Sequence, residues 1–206
     1  MDKPYSIISL KQDTPEWLAW RNEGIGGSDA STIMGENKFQ CKSNLLREKC
    51  SHPTKSRMNS AMALGVALEP KARAYYNTKC SVDSQPMCIQ SSEYEWLRAS
   101  LDGISSDGSR VVEIKCGQSA YKITAKTRRP PRYYYGQFQH LMAVTALDSL
   151  DYCCYFPPGR PLLIKIERNQ SYIDKLLRLE EAFWKEVIEM RIIESDNAKT
   201  SKNNTQ

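Results

Sequence analysis

The order of apolar and polar positions divides the chain into a helical first third and a later part in which strand-like runs alternate with helices. Thr14 followed by Pro15 marks a helix start, because proline's missing amide proton costs nothing in the first turn. That helix is expected to run to about Glu23 and end at Gly24, with Ser28 capping a second short helix and residues 43–50 forming a third. Residues 58–79 read as helical, with Pro70 either kinking the helix or beginning a new one. Strand-like runs follow at 82–89, 97–104 and 110–116, then an amphipathic helix over 133–147 and two more strands at 151–156 and 162–167. A last long helix covers about 171–193, where Ile173, Leu176, Leu177, Phe183, Trp184, Val187 and Ile188 keep helical spacing. The pattern predicts a mixed α/β fold in one domain over 1–194, with a polar, disordered tail over 195–206. No internal repeat or strong linker interrupts it.

Composition narrows the class. At 40% hydrophobic and 26% charged residues the chain can bury a real core, so global disorder is not expected. The formal charge of +5 only weakly favours a polyanionic partner. The basic residues are concentrated, however: Lys122, Lys126, Arg128, Arg129 and Arg132 fall between Ser119 and Arg132 with no acid among them, flanked by Tyr121 and by Tyr133, Tyr134 and Tyr135. Basic side chains interleaved with aromatics suit a phosphate backbone and unstacked bases, and a solvated loop is the plainer alternative. The seven cysteines lack Cys-x-x-Cys spacing and no signal peptide opens the chain, which suggests free thiols in a reducing cytoplasm. No apolar run approaches the ~20 residues of a membrane span.

The chemistry is concentrated at Leu101-Asp102-Gly103 and, eleven residues after the aspartate, Glu113-Ile114-Lys115. Asp107-Gly108-Ser109 is a turn signal between the two runs, so a β-hairpin is expected. Alternation puts Glu113 and Lys115 on one face of their strand and Val112 and Ile114 on the other. By the same rule Asp102 shares a face with Arg98 and Ser100, opposite Leu97, Ala99 and Leu101. Folding the hairpin can gather Asp102, Glu113 and Lys115 at one end of a sheet. Two carboxylates that close repel, and a hard divalent cation relieves the repulsion while activating water, with Lys115 countering negative charge. With two histidines in the chain, a zinc site of several imidazoles is excluded, and magnesium or manganese fits the oxygen donors. The plain alternative is that Glu113 and Lys115 decorate a solvent-facing strand. Two more polar residues fall inside apolar stripes. Gln137 lies on the helix face of Tyr134, Phe138, Leu141 and Thr145, and Glu69 lies in line with Met62, Gly65, Ala72 and Tyr76. For each, a capping or core-network role is the alternative.

These residues together resemble the YqaJ-like viral recombinases, which include the phage-type recombination exonucleases. The resemblance covers about Trp17 to Val187, through Trp20-Arg21, Gly24-Ile25-Gly26-Gly27-Ser28, Leu64-Gly65, Leu68-Glu69-Pro70, Ala72-Arg73, Leu101-Asp102-Gly103, Glu113-Ile114-Lys115-Cys116 and Tyr134 to Gln139. It implies a restriction-endonuclease-like central mixed sheet flanked by helices. It implies magnesium, with manganese as substitute, held by Asp102, Glu113 and the Ile114 carbonyl, with Lys115 assisting the attacking water. Glu69 would support the metal site and Gln137 orient a phosphate. Arg21 and Ser28 would hold the 5′-phosphate of a recessed strand, and Met62 would wedge between terminal base pairs. Ser28 as a simple cap, Arg21 as an exposed helix residue and Met62 as core filler remain the plain alternatives. Leu101 departs from the family's pattern, where proline commonly precedes the aspartate.

The activity implied is a magnesium-dependent 5′-to-3′ exonuclease on double-stranded DNA ends, leaving 3′ tails for a single-strand annealing protein. The expected assembly is a homo-oligomer, as in relatives that form ring-shaped trimers, and the expected location is cytoplasmic. A DNA endonuclease or repair nuclease of the same fold, and a catalytically inactive DNA-binding module, are the competing readings.

Overall fold

The computed structural model describes residues 3–51 and 59–203, with side chains through residue 197. Six strands form one sheet in sequence order: β1 (Tyr5–Ile8), β2 (Ser84–Ser91), β3 (Arg98–Ser105), β4 (Val111–Lys115), β5 (Ser149–Cys154) and β6 (Leu162–Glu167). Neighbours are antiparallel except β4 and β5, which are parallel. A parallel pair cannot be joined by a tight turn, so the chain crosses between them through α5 (Gln118–Thr127) and α6 (Tyr135–Thr145). Before the sheet's centre come α1 (Pro15–Asn22), α2 (Gly27–Ile33), α3 (Lys42–Cys50) and α4 (Ser60–Cys80), and α7 (Gln170–Asn203) follows the last strand. This is the expected mixed α/β architecture.

Helices cover both faces. On one, Leu97, Ala99, Leu101, Ile104 and Val111 pack with Phe138 and Leu141 of α6 and Ile173 of α7. On the other, Val112 and Ile114 pack with Leu68, Ala72 and Tyr76 of α4. β4 is therefore central and enclosed, not the solvent-facing strand of the alternative reading. Close approach between α2 and α6 depends on Gly136, where an added Cβ would lie 3.0 Å from the Ser31 Cα. A buried imidazole ties α6 to the sheet and to α7. His140 Nε2 lies 2.8 Å from the Arg98 carbonyl and Nδ1 2.7 Å from Glu180. A carbonyl only accepts, so Nε2 carries a proton.

Several local expectations change. Thr14 caps α1 as expected, accepting from the Trp17 amide. Ser28 is not the cap of α2: Gly26 is, and Asp29 reaches back to accept from its amide at 3.0 Å. The helix expected from residue 58 is described from Ser60, since Met58 lies outside the described residues, and it passes through Pro70 without a break. The basic segment is not a loop, because α5 occupies most of it. The tail is not unstructured throughout, since α7 continues to Asn203. All seven cysteines are free. Among the described residues no helix is long and apolar enough to cross a membrane.

Candidate active site

The site forms where β3 and β4 part. Their pairing runs through Ile104 with Val111 and Gly103 with Val112 and then stops. Side chains take up the backbone groups there. The Ile114 amide donates to Asp102 Oδ2 at 2.7 Å, Gln12 Nε2 donates to the Leu101 carbonyl at 3.0 Å, and Arg73 Nε donates to the Asp102 carbonyl at 2.6 Å. At the same point β3 bulges. Leu101 and Ile104, three residues apart, oppose Met87 and Gln85, two apart, and both enter the same core. The bulge breaks the alternation and turns Asp102 toward β4. Alternation along β3 predicts the face Asp102 shares with Arg98 and Ser100, and the expected meeting with Glu113 and Lys115 comes about at this bulge.

Glu113 and Lys115 share a face of β4, as expected, and Glu113 is 1% exposed. Glu113 Oε1 accepts from Lys115 Nζ and from Gln137 Nε2, each at 2.6 Å, while Oε2 is buried with no hydrogen-bond partner. Burial first, and then the charge of Asp102, push the Glu113 carboxyl up to about 8, with Lys115 acting in the opposite direction. Burial also raises Asp102, offset in part by Lys115 and the Ile114 amide. Burial works against the Lys115 ammonium, but Glu113 and Asp102 outweigh it and hold its pKa above the ordinary value. The cluster is short of positive charge, and an orphaned carboxylate oxygen beside a second carboxylate is the donor set that a hard cation completes. Among the described residues no group of three or more His, Cys, Asp or Glu side chains is placed to hold a metal, so the fit rests on Asp102 and Glu113 together with backbone oxygen and solvent.

The same cleft, about 170 Å³, reaches Arg21, Ser28 and Arg98. The Arg21 guanidinium donates to the Ser28 hydroxyl at 2.5 Å and lies 3.9 Å from Asp29. Asp29 is already matched by Lys49 at 2.8 Å, and this buried ammonium spends its other donors on the carbonyls of Arg21 and Gly24. Burial raises the Asp29 carboxyl, but Lys49 and Arg21 outweigh it and hold it below the usual carboxylate range. Lys49 and Arg21 together carry one positive charge more than Asp29 cancels, so this group is net cationic. Arg98 is a second cation here, stacked on Trp20 and donating to the carbonyls of Trp20 and Glu95, with the charges of Glu23 and Glu95 acting on it from nearby. The cleft is anionic at the β4 end and cationic at the α1 end.

Asp102, Glu113, Lys115, Gln137, Arg21 and Ser28 therefore share one cleft. Glu69 does not line it. It pairs with Arg73 and faces an adjoining cleft with Gln12 and Pro70, near enough for the charge of Asp102 to add to burial in raising its carboxyl. Met62 is 47% exposed in the first turn of α4, so it is not core filler. Lys122 and Lys126 are exposed on α5, Arg128 caps that helix in a left-handed conformation, and Arg129 and Arg132 follow, also exposed. Three groups escaped the sequence reading. Arg98 was placed on the face of Asp102 without a role, whereas the Lys49–Asp29 pair and Gln12 had no local signal, since each acts across long sequence separations.

A match to the YqaJ-like viral recombinase domain covers residues 16–148. The chain belongs to that family. The uncharacterized protein YqaJ of Bacillus subtilis is 28% identical over 179 residues, covering 84% of this chain and 56% of that protein. An uncharacterized protein of Acanthamoeba polyphaga mimivirus is 24% identical over 188 residues, covering 84% of this chain and 33% of its own length. The chain thus spans about half or less of the length of these curated relatives. The alkaline exonuclease LHK-Exo from Laribacter hongkongensis superimposes with a TM-score of 0.78 at 28% identity, covering 91% of this chain and all of that one. Its complex with dAMP matches equally well, with a TM-score of 0.79. The fold is that of the restriction-endonuclease-like nucleases.

Proposed function

We propose that this member of the family is a deoxyribonuclease that hydrolyses phosphodiester bonds at the Asp102–Glu113–Lys115 cleft. The observation that carries the reading is the buried, unpartnered Glu113 Oε2 beside Asp102, in a cleft that also presents Arg21, Ser28 and Arg98. Acidic and basic halves at one site suit a reaction that needs a cation and binds a polyanion. The similar alkaline exonuclease, crystallised also with dAMP, supports DNA as the substrate.

Asp102 and Glu113, with the Ile114 carbonyl, are the groups that would hold magnesium or manganese. Such an ion supplies charge neutralisation at the phosphate and a more acidic water. The protein's own part is electrostatic and geometric. The Ile114 amide fixes one oxygen of Asp102, while Lys115 and Gln137 fix one oxygen of Glu113, which leaves the other carboxylate oxygens of both residues for the ion. Lys115 is held as an ammonium and so stabilises negative charge developing on the phosphate. Gln137 keeps a side-chain oxygen for water or a polar group of the substrate. Glu69 acts on the cluster through Arg73, which bonds the Asp102 carbonyl.

The finer reading is 5′-to-3′ digestion of one strand from a double-stranded end, giving 3′ tails for a single-strand annealing protein. Arg21 and Ser28 are the residues assigned to the terminal 5′-phosphate, because Lys49 is the nearer partner of Asp29 and the Lys49–Asp29–Arg21 group keeps a net positive charge. A phosphate monoester carries more charge than an internal diester, and Arg98 adds a second guanidinium to meet it. Met62 is assigned to the base-pair wedge and the α5 basic residues to the duplex backbone, and assembly as a ring-shaped homo-oligomer would keep the DNA enclosed. The test compares linear and covalently closed circular forms of one plasmid in magnesium. The exonuclease reading requires loss of the linear form and survival of the circle, and nicking of the circle would favour an endonuclease.

A further inference from the structure

The tyrosine run beside the basic segment is not used by the chemistry above, apart from Lys115 lying over one ring. Lys115 Nζ sits 5.0 Å from the Tyr134 ring centroid. Tyr134 meets Tyr133 edge-on at 4.5 Å, and Tyr133 meets Phe39 at 5.7 Å with the rings 79° apart. Tyr134 also leans on buried Phe138. A ladder of rings thus leads from the core, past the catalytic lysine, to Phe39 on the connection between α2 and α3. Phe39 is 76% exposed. Lys38 stands over its outer end, 4.9 Å from the Phe39 centroid and 4.7 Å from that of Tyr133.

This exposure belongs to an anchored loop. The Phe39 amide donates to Asn37 Oδ1 at 2.9 Å, Asn37 Nδ2 donates to the Thr32 hydroxyl at 2.9 Å, and the Asn37 amide donates to the Ser31 carbonyl at 3.0 Å. The loop's own carboxylate, Glu36, accepts from the Tyr172 hydroxyl at 2.9 Å. A pre-set ring face held in water beside an ammonium matches one ligand chemistry well. A base stacks on the ring and its phosphate pairs with the lysine. A base within a duplex has both faces covered, so only an unpaired or terminal base offers one.

We propose that Phe39, with Lys38 and Tyr133, forms a stacking site for an unpaired nucleobase of the DNA engaged in the catalytic cleft. The proposal rests on the deoxyribonuclease reading and adds a base-contacting site to it. It gives the protein a hold on a strand already separated from its complement, without reading its sequence.

The test is fluorescence anisotropy in EDTA, where no hydrolysis occurs, with a duplex carrying a single-stranded extension and with the same probe bearing abasic residues in that extension. Phe39→Ala is expected to weaken binding of the intact probe about ten-fold, within the range for one base–aromatic stack, and to leave binding of the abasic probe unchanged. Phe39→Tyr is expected to retain wild-type affinity. Equal effects of Phe39→Ala on both probes, or none on either, overturn the proposal. So does sedimentation showing that Phe39→Ala dissociates an oligomer while DNA affinity stays constant, which assigns the ring to a contact between copies. If wild type binds neither probe, the deoxyribonuclease reading falls as well; if wild type binds and the variant is indistinguishable, only the stacking site falls.

Discussion

Glu113→Gln separates the cost of burying a charge from the chemistry that uses it. The substitution matches the shape of the protonated acid and keeps an oxygen for Lys115 and Gln137. In the metal-free protein, burial and Asp102 push the Glu113 carboxyl up to about 8 from an ordinary 4.5. Between those values the folded state binds more protons than the unfolded state. Stability is therefore fully present below about pH 4.5 and is lost as pH rises through about 8. At ~1.4 kcal/mol per unit per proton the loss is of order 5 kcal/mol, less whatever share of the proton Asp102 and Glu69 take. For a domain of this size that corresponds to a melting shift of roughly 10 °C. The assay is thermal unfolding in EDTA from pH 5 to pH 9, read as wild type minus Glu113→Gln, so that titrating groups away from the cluster cancel. The difference is expected to move against wild type across the window and to level off above pH 8.5. Magnesium added at that pH is expected to stabilise wild type and not the variant. A difference that stays constant with pH would refute the burial argument.

Further outcomes follow from the cleft and the fold. Wild type is expected to digest 5′-phosphorylated duplex faster than 5′-hydroxyl duplex, and Arg21→Ala to shrink that ratio by roughly ten- to a hundred-fold; slowing of both substrates by the same factor would reduce Arg21 to a structural role. Replacing Arg128 and Arg129 together with Ala is expected to weaken binding to unrelated duplexes alike and to flatten the salt dependence by about one unit per lost phosphate contact, whereas an unchanged salt slope would remove α5 from the DNA path. His140→Ala leaves Glu180 buried without its partner and is expected to cost ~3–5 kcal/mol, checked by urea unfolding.

The hairpin was legible because two independent signals agree on it. Alternation marks β4, and the turn at Asp107-Gly108 is realised with Asp107 accepting from the Ser105 hydroxyl and the Ser109 amide, and Gly108 at φ 77°. Glu113 and Lys115 were legible from their alternation with Val112 and Ile114 and their spacing from Asp102, and Gln137 as a polar group inside an apolar stripe. The bulge in β3 was not, since it depends on the register with β2 and has no residue signal of its own. Helix α5 was hidden by its composition, with only Ala120 and Thr124 buried in ten residues. The start of α2 was misplaced because Ser28 has the better capping residue type, while Asp29 makes the bond that fixes the turn. Lys49 looks like any surface lysine of an amphipathic helix until Asp29 and two carbonyls surround it.

The most direct test of the catalytic assignment uses uniformly labelled linear duplex incubated with wild type, Asp102→Ala and Lys115→Ala, with and without magnesium, alongside DNA binding by each protein. Wild type is predicted to release acid-soluble nucleotides only when a divalent cation is present. Asp102→Ala is predicted to release none while still binding DNA, and Lys115→Ala to be slowed far more in turnover than in binding. Near-normal digestion by Asp102→Ala in magnesium, or digestion by wild type in EDTA, would contradict the account.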